Sequence, residues 1–237
     1  MRRTITGLFV FACLLCAPSQ AFAYTDFSSG KTGYDVSWPN CEAKISPLTP
    51  FGVVGVSGGL SFHPNLCVGQ EASLFKSDLS LYTNTGYPGR PYADKYSQWP
   101  KSCSFSNDAC LAYNYGFNAA KYSFNYALSH GVVSRDWWLD VETINSWANE
   151  PSTNQASIGG EANALSFYAQ PTVLGVYAYP GGWQTLTGNW QNKWPAWVAS
   201  NSNFRSVAQS YCRENSFNGG AVLLTQYIGQ LDTDYAC

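Results

Sequence analysis

Seven short apolar runs, each separated by a longer stretch of helical or turn-forming sequence, constrain this chain more tightly than any other feature. They fall at residues 33–38 (GYDVSW), 51–56 (FGVVGV), 79–83 (LSLYT), 136–143 (DWWLDVET), 172–177 (TVLGVY), 194–199 (WPAWVA) and 221–227 (AVLLTQY). Strands apolar on both faces need cover on both faces, and crossover helices supply it, so the pattern predicts a parallel sheet wrapped by helices. Between the third and fourth runs, Tyr113, Phe117, Ala120, Phe124, Ala127 and Leu128 recur at helical spacing. Ser106, Asn107 and Asp108 offer caps before them, and Gly131 stops the run. A second helix is expected over 154–169, weakened by Gly159 and Gly160. Seven or eight strands in roughly 210 residues fit the α/β class as a single (β/α)-barrel, TIM-like, with some helices reduced to loops.

The first 23 residues, MRRTITGLFVFACLLCAPSQAFA, read as a secretory signal peptide. Arg2 and Arg3 make a basic start, Leu8 to Ala17 an apolar run, and Ala21-Phe22-Ala23 a small-x-small cleavage site. That run is too short to span a bilayer and no later run is longer, so the chain is expected to be secreted, without a membrane anchor. The segment 24–237 then forms the barrel. Its cysteines are Cys41, Cys67, Cys103, Cys110, Cys212 and Cys237. An even number in an exported chain predicts disulfides, with fifteen pairings open. Proximity in sequence favours Cys41–Cys67, Cys103–Cys110 and Cys212–Cys237.

Removing Arg2 and Arg3 from 13 basic residues leaves 11 against 15 acidic ones, a net charge of −4. No basic stripe is present, which argues against nucleic acid as a partner. With 9 Trp and 16 Tyr among many Asn, Ser, Thr and Gln, the composition suits carbohydrate, whose ring faces lie on flat side chains and whose hydroxyls pair with amides. Secreted proteins of other functions share that composition. No cofactor is implied. A metal is not expected either: no CxxC follows the signal, and His63 and His130 lack paired ligand spacing. His130, just before Gly131, is better placed as a cation at a helix C-terminus. The chain is expected to act as a monomer.

Asp140 and Glu142, in WWLDVET, point to the same face of a strand, with Trp138 on that face and Trp137, Leu139 and Val141 on the other. Barrels carry their chemistry at the C-terminal ends of the strands. Asp35, in YDVS, ends the first strand, and Asp232 and Asp234 follow the seventh, which is expected to close against the first. Asp35 and Asp232 then face the Asp140–Glu142 pair across the mouth. Gathered carboxylates suit glycoside hydrolysis, in which one acid stays protonated and another stays ionised. Glu142, reaching furthest, is the candidate acid beside an ionised Asp140. A D-x-E on a strand can also serve structure alone, pairing with Arg135 or capping a loop.

The order YDVS, WWLDVET, VLGVYAYPGGW, WPAWVA and LLTQYIGQLDTD resembles the glycoside hydrolase family 25 lysozymes over residues 33–236, and within them a divergent secreted branch. The resemblance implies a barrel that cuts the β-1,4 bond between N-acetylmuramic acid and N-acetylglucosamine in peptidoglycan. It places Asp35, Asp140, Glu142 and Asp232 at the family's acidic positions, with Glu142 as general acid and Asp140 assisting the substrate's N-acetyl group. It implies that Tyr177, Trp183 and Gln226 line the sugar groove, and Trp138 and Tyr82 are expected to join them. Two features depart from the family: the second strand runs into VSGGLSF without an acid, and residues 99–111 form an unusual Cys-rich insertion. Three alternatives stand beside a muramidase: an inactive glycan-binding barrel, a hydrolase of another N-acetylated glycan such as chitin, and a structural surface protein.

Overall fold

The computed structural model describes residues 27–76 and 78–237; the expected signal peptide, with Cys13 and Cys16, lies outside the described residues. Eight strands close into a barrel in chain order. They are β1 (Thr32–Val36), β2 (Phe51–Gly55), β3 (Asp78–Asn84), β4 (Asp136–Asp140), β5 (Val173–Ala178), β6 (Ala196–Ala199), β7 (Val222–Tyr227) and β8 (Thr233–Ala236). The first seven run parallel.

The closing strand corrects the sequence reading, in which β7 met β1 directly. β8 intervenes, antiparallel to both neighbours. Its sequence, TDYA, has no apolar run to reveal it. An antiparallel strand needs only a short return from β7, whereas a parallel one needs a full crossover.

The helices are α1 (Val68–Ala72), α2 (Arg90–Ala93), α3 (Asp108–Ser129), α4 (Pro151–Tyr168), α5 (Pro180–Thr187) and α6 (Arg205–Tyr211). Only a short 3-10 turn (Trp38–Asn40) separates β1 from β2, so the barrel's helical ring is incomplete, as expected. Asn107 caps α3 by accepting from the Cys110 amide at 3.0 Å. At its other end His130 puts Nδ1 2.9 Å from the Tyr126 carbonyl, and Gly131 turns the chain out at φ +71°.

Two cores flank the barrel wall. Outside it, Trp137, Leu139 and Val141 meet Phe117 and Ala120 of α3 and Ile158 and Leu165 of α4; each large side chain fully buried there contributes about 1.5–3 kcal/mol. Gly160, whose presence weakens α4 locally, is what lets the two long helices touch: a Cβ there would lie 2.1 Å from the Tyr113 carbonyl oxygen. Inside the barrel, Phe51, Val53, Trp138, Trp197 and Leu224 form the floor, sealed below by Phe27, 5.3 Å from Phe51. The disulfides are Cys41–Cys67, Cys103–Cys110 and Cys212–Cys237, the pairings that sequence proximity favours.

Candidate active site

Strand register determines which side chains share the mouth. Asn84 pairs with Asp140, Asp140 with Tyr177, and Tyr177 with Trp197, each on the inward face of its strand. One layer below, Tyr82 pairs with Trp138. The result is a cavity of about 110 Å³ walled by Asp35, Tyr82, Asp140, Glu142, Tyr177, Trp197, Gln226 and Asp232. The four acids picked from the sequence therefore meet in one cavity, with Tyr82, Tyr177 and Gln226 around them. Trp197, also in its wall, was read only as part of the sixth strand.

Two expected sugar contacts are elsewhere. Trp138 shares the face of Asp140, but two residues of rise put it in the floor beneath, completely buried. Gly175 leaves it room there, since a Cβ would lie 2.2 Å from the indole. Trp183 is also completely buried, outside the barrel, stacked at 6.1 Å on Trp190 and donating to its carbonyl at 3.0 Å. Neither ring can meet a ligand in this cavity. Asp232 and Asp234 divide the positions left open in sequence: Asp232 stands exposed at the rim, while Asp234 points inside the barrel, fully buried, accepting from Trp197 Nε1 at 2.8 Å.

Two of the carboxyls are held by amides. Asn84 donates Nδ2 to Asp140 Oδ2, and is itself fixed by Ser57, whose hydroxyl donates to Asn84 Oδ1 at 3.0 Å. Gln226 donates to Asp35 Oδ2 at 2.9 Å. Glu142 follows β4 on a short turn; its carbonyl accepts from Asn145 N at 3.1 Å and Trp147 Nε1 at 2.7 Å. A fifth acid, Glu161 of α4, is wholly buried behind the mouth and accepts the Thr85 hydroxyl at 3.0 Å. Sequence reasoning missed Asn84 and Glu161. Asn84 ends a strand whose inward face was already visible in LSLYT, so extending that alternation would have found it.

Crowded negative charge with little solvent holds protons. Burial, then the charge of Asp232, raises Asp35 to about 7. Burial, then Asp232, also raises Glu142. Asp140 is pushed well above the carboxylate range, by burial first and then by Glu142, Asp35 and Glu161. These effects oppose the ionisation of Asp140 expected from the sequence. Asp232, although it stands at the rim, is raised by the burial of its carboxyl alone.

A barrel of this build recurs in solved structures. A muramidase from Trichobolus zukalii matches at a TM-score of 0.52 with 13% identity, over 87% of this chain and 93% of that one. A muramidase from Acremonium alcalophilum matches at 0.52 with 15% identity, over 87% and 93%. A family GH25 lysozyme from Aspergillus fumigatus matches at 0.51 with 14% identity, over the same shares. The chain shares the fold of the family 25 lysozymes. No protein-family model matches the sequence. No curated protein matches it either.

Proposed function

We propose that this chain is a secreted glycosidase of lysozyme type that hydrolyses the β-1,4 bond between N-acetylmuramic acid and N-acetylglucosamine in peptidoglycan. The observation that carries the reading is the meeting of Asp35, Asp140, Glu142 and Asp232 in one aromatic-walled cavity at the barrel mouth. The muramidases that share the fold support the substrate class. Secretion is supported by three disulfides.

Glu142, kept protonated by burial and by Asp232, gives its proton to the leaving glycosidic oxygen as the bond to the anomeric carbon breaks. The acetamido carbonyl oxygen of the substrate bonds that carbon, an exception to the two-carboxylate scheme. Asp140 positions the acetamido group from the cavity wall, with its own Oδ2 fixed by Asn84. It does so as a hydrogen-bonding group rather than as a negative charge. The charge that steadies the sugar cation comes from Asp232 and the ionised fraction of Asp35. Water then opens the intermediate, with Glu142 taking back a proton.

The test is product analysis. Peptidoglycan sacculi and chitin are each incubated with the protein, and the soluble products are identified by mass spectrometry. Fragments ending in reducing N-acetylmuramic acid are expected from sacculi. Cleavage of chitin alone would replace the substrate, and binding to sacculi without products would replace hydrolysis by recognition.

A further inference from the structure

A cavity larger than the one that holds the acids opens on the barrel's C-terminal face. It measures about 620 Å³, against about 110 Å³ for the carboxylate mouth, and falls within the roughly 300–1,000 Å³ of small-molecule sites. It is built by three successive loops, after β2, β3 and β4, with Tyr115 of α3, and is tied to the mouth through backbone carbonyls of two of its acids. Thr85, in its lining, donates its amide to the Asp140 carbonyl at 2.9 Å. Trp147, also in its lining, donates Nε1 to the Glu142 carbonyl at 2.7 Å.

Its chemistry is distinct. Among the described residues, no Asp, Glu, Lys or Arg lines it. Rings come from His63, Tyr92, Tyr115 and Trp147, and short polar groups from Thr85, Asn145 and serines. Tyr92 offers a largely exposed ring, 62% accessible, which nothing in the fold needs uncovered. A face of aromatic rings edged by neutral hydrogen-bonding groups accommodates a pyranose, which has an apolar face and a polar rim.

The walls are fixed in advance. Asn145 donates Nδ2 to the Thr85 carbonyl at 3.1 Å, and Tyr87 donates its amide to the Ser146 carbonyl at 2.7 Å. Ser157 holds the Gly86 carbonyl at 2.7 Å from α4. Tyr115 is packed edge-on against Phe62 at 5.2 Å and Tyr87 at 5.9 Å. The Cys103–Cys110 disulfide ties the connection that follows α2, which carries Tyr92, to the start of α3. Such preformed walls lower the ordering cost of binding.

We infer that this cavity is a second carbohydrate site, which holds a neutral pyranose of the glycan at a distance from the bond positioned at the carboxylates. The inference rests on the reading of the mouth as a glycan site. It makes the cavity a selector for chain length: long glycans engage both cavities, short ones only the mouth.

The test reads binding rather than turnover. The Glu142→Gln protein, alone and with Tyr92→Ala or Tyr92→Phe added, is titrated calorimetrically with β-1,4-linked N-acetylglucosamine dimer and hexamer. Tyr92→Ala is expected to weaken the hexamer about tenfold, as truncating an aromatic contact does, and to leave the dimer within about twofold. Tyr92→Phe keeps the ring and the affinity. Equal hexamer affinity for the alanine and tyrosine forms, or no hexamer binding by either, overturns the site. Failure of the unsubstituted protein to cleave sacculi overturns hydrolysis only, because these affinities are measured on a form without the acid.

Discussion

Gln226 donates its side-chain amide to Asp35 at 2.9 Å and accepts the Tyr177 hydroxyl on its other side at 2.7 Å. One β7 residue thus sets both the acid of β1 and the phenol of β5, reaching past β8 on one side and β6 on the other. Replacing it by leucine removes the acceptor of the Tyr177 hydroxyl and one donor to Asp35, which keeps its hydrogen bond with Asp234. Gln226→Leu is expected to cost about 1–3 kcal/mol in denaturant unfolding. Because that amide lowers the pKa of Asp35, carboxyl NMR of the variant should also show Asp35 titrating above its native position near 7.

The pH dependence follows from Asp232. Its negative charge helps keep the Glu142 proton in place. The proposed rate requires protonated Glu142, so it falls as pH rises through the Glu142 pKa. Asp232→Asn removes the charge, lowers that pKa, and shifts the alkaline limb of the kcat/KM profile to lower pH. An unmoved limb would separate Glu142 from the titration that governs rate.

Stability carries the same sign. Asp35 is raised in the folded state from an ordinary value of 3.8 to about 7. Below 3.8 both states hold the proton; between the two values only the unfolded chain ionises, so this group's penalty grows as pH rises to 7 and is constant above it. Asp140 and Asp234, also raised by burial, act in the same direction. Asp35→Asn is expected to flatten the decline of Tm between pH 4 and 7 relative to the native chain.

Two adjacent glycines of α4 should respond oppositely. Nothing lies within 4 Å of a Cβ on Gly159, whereas one on Gly160 would meet the Tyr113 backbone at 2.1 Å. Gly159→Ala is expected to stabilise by up to about 1 kcal/mol through helix propensity. Gly160→Ala is expected to destabilise by about 1–3 kcal/mol by forcing α3 and α4 apart. Thermal unfolding of the two variants checks both.

Much of this arrangement was legible in the sequence because strand alternation is local. The period of two placed Asp140 and Glu142 on one face and put Asp35 at a comparable strand end. What alternation cannot give is depth. Trp138 lies on the correct face, yet one layer down it becomes floor. Trp183, assigned to the groove by resemblance, is covered by contacts with Trp190 and Phe217 that no local pattern announces. Glu161 reaches Thr85 across 76 residues of chain, a meeting set by the packing of α4. β8 escaped notice because its inward residue, Asp234, is charged in sequence and matched in space by an indole on the facing strand. The protonation of Asp140 depends on neighbours from other elements, so it too belongs to the tertiary structure.

The central claim is that Glu142 is the proton donor in a glycosidase. Its most direct test is the rate at which sacculi release reducing sugar ends with the native protein and with Glu142→Gln at equal concentration. The account predicts measurable release by the native protein and a fall of about 10²–10⁴-fold in the variant, with binding to sacculi retained. An unchanged rate in Glu142→Gln, or no release by the native protein, would contradict it.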